Sequence, residues 1–283
     1  MVKGEEMGLK DRRLGFVGGG QMAEAIIKGL LSSGLTEAPQ VFVSEPLAAR
    51  REYLQKTFPG LHLLSDNREL VRQTELVVLA VKPQVMRQVL EEIAPEVKEK
   101  HLIISIAAGI PLSFLERYLP VEARVIRVMP NTPALVLAGI SAYTGGKNVS
   151  TADLELAQEF LSALGEALEL PESLFDAVTG LSGSGPAFVA LFLEALIDGG
   201  VKMGLPRPIA EKLALETVLG TAKLMKETQK DPYALKAMVT SPGGTTICGV
   251  KALMEKGLHA AVMEAVEQAT KRSAELSRLV EEG

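Results

Sequence analysis

Short apolar runs alternate with helix-like segments over about the first 170 residues of the 283-residue chain. The run Leu76–Val81 is apolar throughout, as expected of a parallel strand that is covered on both faces. Strands that alternate with helices predict a doubly wound, Rossmann-type α/β sheet. The other predicted strands are Leu14–Val17, Val41–Ser44, Leu102–Ile106, Arg124–Val128 and Ser141–Thr144, and the predicted helices between them include Gln21–Ser33, Val85–Val97 and Pro111–Leu119.

The segment STADLELAQEFLSALG predicts a further helix near the end of this half. Ser150 or Thr151 would cap its start, Asp153 stands in its first turn, and Gly165 would end it.

After about Pro171 the strand pattern disappears, and prolines stand where a first helical turn tolerates them. We predict a dinucleotide-binding Rossmann domain at residues 1–171 and an all-α domain for dimerisation and substrate binding at residues 172–283. The predicted helices run from Pro186 to near Gly199–Gly200, from Pro208 to about Gln229, from Pro232 to Val239, and onward from Thr246 and from Leu258.

The helical half has wide apolar faces, and the stretch AFVALFLEALI is apolar nearly all round. Such helices need extra surface to bury them, which predicts a partner subunit and hence a homodimer. The alternative is a helical bundle that buries its own faces.

Composition narrows the class of protein. Hydrophobic residues make up 47% and charged residues 23% of the chain, which is typical of a soluble globular protein. A net charge of −5 without a basic stripe makes nucleic acid an unexpected partner. One cysteine and three histidines predict neither a disulfide framework nor a metal site.

We also predict no membrane span and no secretory signal. Glu194 interrupts the most apolar stretch, and residues 1–13 are polar. A cytoplasmic protein is the resulting expectation.

The segment GFVGGGQMAEAI contains the most informative motif, Gly18-x-Gly20-x-x-Ala23. It follows a predicted strand and opens a predicted helix, as the dinucleotide fingerprint requires. Gly18 would permit the tight turn and Gly20 the close approach of a pyrophosphate, to which the Gln21 and Met22 amides would donate. The alternative is a purely structural glycine turn.

The second predicted strand ends at Ser44 and is followed by Arg50 and Arg51. A hydroxyl and a guanidinium suit the 2′-phosphate of NADPH, which we therefore favour as the cofactor. Glu45 could instead accept the ribose hydroxyls of NADH, the alternative cofactor. A third interpretation is a helix start with solvated arginines.

Further loops are expected at the carboxyl ends of the strands, where ligands of open α/β sheets bind. In AVKPQ, Pro83 stiffens the turn that carries Val81 and Lys82. The SIAAGI segment has small residues at the place where the flat nicotinamide ring of a dinucleotide would approach the backbone. RVMPNTP fixes Asn131 and Thr132 between two prolines.

A second glycine-rich loop, SPGGTT, lies in the helical half. Ser241, Gly243, Gly244, Thr245 and Thr246 precede an apolar helix, which predicts an anion cradle for a carboxylate. The alternative is an ordinary helix cap and turn.

With these motifs the chain resembles the pyrroline-5-carboxylate reductase family along nearly its whole length. The resemblance implies reduction of Δ1-pyrroline-5-carboxylate to L-proline by hydride transfer from NADPH or NADH. It also implies a C-terminal helical domain that interlocks dimers, which the family often builds into decamers. The motifs that carry it are GFVGGGQMAEAI, AVKPQ, SIAAGI, RVMPNTP, GLSGSGPAF, DGGVKMGLPR and VTSPGGTTI.

The resemblance also implies roles for individual residues. Thr246 would be the catalytic-site residue, clamping the substrate carboxylate together with Ser241, Gly244 and Thr245, and Glu172 would lie near the ring nitrogen. Met238 and Met254 depart from the polar residues that are frequent there in the family. The implied cofactor contacts are Val17, Gly18, Gly19, Gly20, Gln21, Met22, Ser44, Asn67, Ala80, Val81, Lys82, Pro83, Ala107, Ala108 and Asn131.

Two other functions fit parts of the sequence. A β-hydroxyacid dehydrogenase also joins a Rossmann domain to helices, but it needs a lysine base on its central helix, and here the helix after Pro186 has no lysine before Lys202. A non-catalytic nucleotide-sensing dimer would not need the SPGGTT loop.

Overall fold

The computed structural model describes residues 8–282. They form two compact units, one of residues 8–183 together with 269–282 and one of residues 184–268. The predicted boundary between residues 171 and 172 falls inside the first unit, and the division of cofactor and substrate binding at that boundary stays a prediction. The predicted absence of a secretory signal concerns residues 1–13, of which the first seven lie outside the described residues.

The first unit is built around one eight-stranded sheet of spatial order β3-β2-β1-β4-β5-β6-β7-β8. Neighbouring strands are parallel except for the pair β6–β7. This topology confirms the predicted doubly wound α/β fold. The strands are β1 Leu14–Val17, β2 Val41–Ser44, β3 His62–Leu64, β4 Leu76–Leu79, β5 Leu102–Ser105, β6 Arg124–Met129, β7 Gly139–Gly145 and β8 Gly165–Glu169.

Helices cover both faces of the sheet and make up the second unit. Short 3₁₀ turns flank several of them, and a π turn spans Thr179–Gly183. The α-helices are α1 Gln21–Ser32, α2 Ala48–Thr57, α3 Asn67–Gln73, α4 Met86–Ile93, α5 Leu112–Tyr118, α6 Thr151–Ser162, α7 Phe175–Val178, α8 Gly185–Lys202, α9 Arg207–Thr228, α10 Pro232–Met238, α11 Thr245–Glu255 and α12 Leu258–Glu282.

Four details of the predicted elements were wrong. Strands β3 and β8 were not expected, because they lie at the sheet edges and lack continuous apolar runs. Gly165 does not end α6 but begins β8, with φ at +132° and no room for a Cβ beside Gly139. The predicted helix over 85–97 contains only α4, bounded by 3₁₀ turns at two prolines. Helix α8 continues past its two glycines to Lys202.

Successive residues of a strand point to opposite faces of the sheet and pack into two separate cores, one on each face. Phe16 and Ile104 lie in the core that contains α1 and α6, whereas Val17 and Ile103 lie in the core that contains α4 and α5. Full burial of such a side chain contributes about 1.5–3 kcal/mol. The sheet is thereby held rigidly, which fixes the loops at its carboxyl edge.

The second unit buries few of its own apolar side chains. Among the described residues of α8 none is buried, and Leu191 and Leu213 are exposed over 67% and 54% of their surface. A groove of about 550 Å³ on this unit has an apolar lining that includes Phe188, Phe192 and Val262. A self-contained bundle would bury these side chains, so a partner surface is required to cover them.

Residues Glu172–Lys202 are, by length and composition, apolar enough to cross a membrane. This corrects the expectation that Glu194 excludes any such stretch among the described residues. A helix that is apolar all round is equally typical of one buried in a large protein core or interface. The finding therefore assigns no membrane.

A buried histidine precedes strand β5 and contacts helix α3. His101 is 1% exposed; its Nδ1 accepts a hydrogen bond from the Lys98 N–H (2.7 Å), and its Nε2 lies 3.0 Å from the Val71 carbonyl oxygen. This arrangement uses the neutral ring as both acceptor and donor. Burial lowers the pKa of His101 below its ordinary value, and nearby Lys100 lowers it further.

We expect His101 to make the fold acid-sensitive. In the unfolded chain His101 takes up a proton at a higher pH than in the folded chain. Its contribution to the free energy of unfolding is therefore complete above about pH 6.5 and is lost as the pH falls. His101→Gln should reduce the change in the urea midpoint of unfolding between pH 7 and pH 5. His259→Gln, at an exposed site on α12, is the matched control. Equal slopes in wild type and His101→Gln would contradict this role.

Candidate active site

A pocket of about 430 Å³ opens at the carboxyl edge of the sheet. Its walls are the segments that follow β1, β4, β5 and β6, together with the π turn. The lining residues are Gly20, Gln21, Met22, Ala80, Val81, Lys82, Pro83, Ile106, Ala107, Ala108, Met129, Pro130, Asn131, Thr132 and Gly183.

The position of this pocket follows from the strand order. The chain leaves β1 toward β2 on one side, and later returns to place β4 on the other side of β1. Such a reversal opens a crevice at the carboxyl ends of the two strands, where ligands of open α/β sheets bind.

Gly18 brings the loops after β1 and β4 into contact. Its φ is +98°, its N–H donates to the Ser44 carbonyl oxygen (2.8 Å), and a Cβ would lie 2.8 Å from the Ala80 carbonyl oxygen. A left-handed residue this close to a neighbouring backbone has to be glycine. The predicted tight turn is present.

Gly20 leaves the start of α1 open. It occupies the N-cap position in an extended conformation, and no side chain caps the helix. A Cβ on Gly20 would meet no atom within 4 Å. The first amides of α1 therefore border open space beside the positive end of the helix dipole. This arrangement fits an anionic diphosphate, as the fingerprint predicts.

Ten of the predicted cofactor residues lie together in the pocket. They come from four separate loops, and the strand order alone brings them to one edge. The ten residues are Gly20, Gln21, Met22, Ala80, Val81, Lys82, Pro83, Ala107, Ala108 and Asn131.

The other predicted cofactor residues do not line this pocket. Val17 and Ser44 are buried at the ends of β1 and β2. Gly18 and Gly19 lie in the turn behind Gly20. The Asn67 amide at the start of α3 donates to a Glu92 carboxylate oxygen (2.9 Å).

Arg50 lies beside a different cleft, between α1 and α2. Its guanidinium forms an ion pair with Glu24 (2.5 Å) and donates to the Gly19 carbonyl oxygen (2.6 Å). The neighbouring Glu45 is 8% exposed. Its carboxylate accepts from the Gly19 N–H (3.1 Å), which fixes its orientation.

Four lining residues were missed by sequence reasoning. One of them, Pro130, lies inside the RVMPNTP motif. Ile106 follows β5 directly, so the SIAAGI motif could have supplied it. Met129 and Gly183 come from distant segments, and a Cβ on Gly183 would lie 2.6 Å from the Met129 Cε. No sequence signal links these two residues.

Asn131 shapes the loop after β6 through its own side chain. Its Oδ1 accepts a hydrogen bond from the Ile140 N–H (3.0 Å), which ties the loop to β7. The two flanking prolines and this bond hold the 3₁₀ turn Thr132–Val136 against the pocket.

The SPGGTT loop in the second unit forms a turn that leads into an uncapped helix start. Gly243 has φ at +67°, and the Gly244 N–H donates to the Ser241 carbonyl oxygen (3.1 Å). Gly244 is the N-cap of α11, which has no side-chain cap, so the amides of Thr245 and Thr246 begin an open helix end. The predicted turn and helix start are present.

Glu172 lies outside the pocket lining, in the 3₁₀ turn before α7. One of its carboxylate oxygens accepts from the Arg127 guanidinium (2.8 Å) and from the Leu112 N–H (2.8 Å). Arg127 is itself buried and stacks over the Phe175 ring. In this structure Glu172 holds β6 and α5 together.

Two family descriptions match the chain. Residues 172–276 match "Pyrroline-5-carboxylate reductase dimerisation". Residues 13–109 match "NADP oxidoreductase coenzyme F420-dependent". A pyrroline-5-carboxylate reductase of Synechocystis sp. is 50% identical over 94% of this chain and 98% of that protein. The chain belongs to the pyrroline-5-carboxylate reductase family.

Other members of the pyrroline-5-carboxylate reductase family match nearly the whole chain. Pyrroline-5-carboxylate reductase 3 of Rattus norvegicus is 46% identical over 94% of this chain and 97% of that protein. The crystal structure of the Plasmodium falciparum pyrroline carboxylate reductase with NADP bound superposes with a TM-score of 0.86. It is 35% identical and covers 95% of this chain and 100% of that one. The resemblance stated from the motifs is confirmed.

Gly20→Ala should weaken dinucleotide binding without harming the fold. Its Cβ would enter the open space beside α1 and keep a pyrophosphate from the amides. We expect the Kd of NADPH, measured by calorimetry, to rise roughly tenfold or more, because about one charge-assisted hydrogen bond to the diphosphate is lost.

Gly8→Ala is the matched control for this substitution. Gly8 is also an uncapped N-cap of almost the same backbone conformation, with open space around its Cβ position, but it lies outside the pocket. An unchanged Kd in Gly20→Ala would remove α1 from the binding site.

Proposed function

We propose that this protein reduces 1-pyrroline-5-carboxylate to L-proline with NADPH or NADH. The observation that carries the proposal is the open start of α1 at the reversal of strand order, in a chain that matches pyrroline-5-carboxylate reductases over 94% of its length. The name of the Plasmodium falciparum relative, with NADP bound, supports the cofactor class.

The pocket supplies position rather than acid–base chemistry. Lys82 is its single ionisable lining residue among the described residues, and it is exposed. The dinucleotide supplies a hydride from its nicotinamide ring when bound. A cyclic imine that binds in its protonated form is already electrophilic, so the protein needs only to hold the two reactants face to face.

We assign the diphosphate to the amides of Gln21 and Met22. Ala80–Pro83, Ala107, Ala108 and Asn131 then flank the nicotinamide half. The small side chains of Ala80, Ala107 and Ala108 allow a flat ring to lie against the backbone.

We assign the substrate carboxylate to the SPGGTT loop. The amide of Thr245 and the hydroxyl of Thr246 supply donors at an uncapped helix start. The Gly244 amide belongs to the same assignment, but it would have to leave the Ser241 carbonyl oxygen to bind the acid. Ser241 shapes the turn through its carbonyl oxygen. A contact of Glu172 with the ring nitrogen would require its release from Arg127.

The assay for this function follows NADPH oxidation with 1-pyrroline-5-carboxylate and, separately, with hydroxy and keto acids. Turnover with the imine alone is the expected result. Turnover with hydroxy or keto acids alone would favour a β-hydroxyacid dehydrogenase, and dinucleotide binding without any turnover would favour a sensor.

In the same assay, Thr246→Ala should lower kcat/KM roughly 10- to 100-fold, with a large rise in KM. Loss of a hydrogen bond to a charged group costs about 1.5–3 kcal/mol. Thr217→Ala, an exposed threonine of α9 in the same unit, is the control. An unchanged kcat/KM in Thr246→Ala would remove this residue from the site.

We further propose a homodimer formed through the apolar faces of α8, α9 and α12, assembled into a decamer in the cytoplasm. The dimerisation match over residues 172–276 supports the dimer. The single, exposed cysteine suits a reducing compartment.

Light scattering should therefore give a native mass ten times the chain mass of 30.2 kDa. A mass of twice the chain would restrict the assembly to the dimer. A monomer would contradict the interface.

A further inference from the structure

Gly19, in the middle of the glycine turn, has both backbone groups held by side chains from the segment after β2. Its N–H donates to Glu45 Oε2 (3.1 Å), and its carbonyl oxygen accepts from Arg50 Nε (2.6 Å). A Cβ on Gly19 would lie 2.8 Å from the Leu54 side chain. The turn that faces the dinucleotide is thus locked to this segment.

Glu45 is fixed at the end of the second strand. It is the first residue after β2, its backbone N–H donates to the Leu64 carbonyl oxygen (3.0 Å), and its Oε1 accepts from the Leu47 N–H (3.0 Å). The side chain therefore has both oxygens bonded and a defined orientation. In dinucleotide-binding sheets, the residue at this place meets the adenosine ribose hydroxyls.

The two arginines nearby already have protein partners. Arg50 pairs with Glu24 (2.5 Å) and lies over the Tyr53 ring. Arg51 donates to the carbonyl oxygens of Glu45 (2.6 Å) and Pro46 (2.8 Å). These bonds orient both guanidinium groups toward the protein.

We propose that Glu45 is a specificity-determining residue that makes this enzyme bind NADH more tightly than NADPH. This inference rests on the proposed function. A 2′-phosphate carries a charge of about −1.5 to −2 at pH 7 and would meet a fixed carboxylate. An unmodified ribose instead offers hydroxyl donors, which a carboxylate accepts. Of the two arginines that favoured NADPH from the sequence, Arg50 bonds the glycine turn and Arg51 bonds the segment after β2.

The test measures binding of NAD⁺ and NADP⁺ by calorimetry, without substrate. Wild type should bind NAD⁺ at least fivefold more tightly. Glu45→Gln keeps one acceptor oxygen but removes the charge, and should shift the ratio of the two Kd values roughly tenfold toward NADP⁺. Glu52→Gln, on exposed α2 surface, makes the same charge change away from the turn and should leave the ratio unchanged.

Tighter binding of NADP⁺ by wild type, or an equal loss of both dinucleotides in a folded Glu45→Gln protein, would overturn the proposal. If Glu45→Gln does not fold, the wild-type ratio decides alone. A protein that discriminates the dinucleotides but does not reduce 1-pyrroline-5-carboxylate would overturn the proposed function and leave this inference standing. Reduction that is more efficient with NADPH than with NADH would contradict this inference alone.

Discussion

The close approach of two backbones at Gly18 is the constraint on which the site depends. The β1–α1 turn can lie against the Ala80 carbonyl oxygen only because Gly18 has no side chain. This contact places the start of α1 at the crevice where the strand order reverses. Everything that the pocket offers a dinucleotide follows from that placement. The amides of α1 are open because Gly20 supplies no cap, and the loops after β4, β5 and β6 complete the walls.

Both units contain an uncapped helix start that follows a glycine, but in different surroundings. In the first unit an uncapped helix start lies beside a rigid sheet, whose two cores are buried on both faces. In the second unit an uncapped helix start at Gly244 sits among helices that leave their apolar faces exposed. The first arrangement suits a large cofactor that needs a fixed platform. The second suits a small acid held in a domain whose stability depends on a partner subunit.

How far the sequence could predict this structure depends on the range of the interactions. Strands β1 and β2 and the N-cap glycine of α1 were predicted correctly, because apolar runs and a glycine fingerprint are local patterns. Strands β3 and β8 were missed, since edge strands are stabilised by pairing rather than by their own composition. The bond from Glu45 to Gly19 joins residues 26 positions apart, and nothing in the sequence near either residue indicates it. The same holds for Met129 and Gly183, which meet only in the folded chain.

We propose that one helix start holds the dinucleotide and the other holds the substrate acid. A crystal structure with NADP⁺ and L-proline bound tests it most directly. We expect diphosphate oxygens at the Gln21 and Met22 amides, and the proline carboxylate at Gly244–Thr246. A proline carboxylate bound away from Gly244–Thr246, or a diphosphate away from α1, would contradict this assignment.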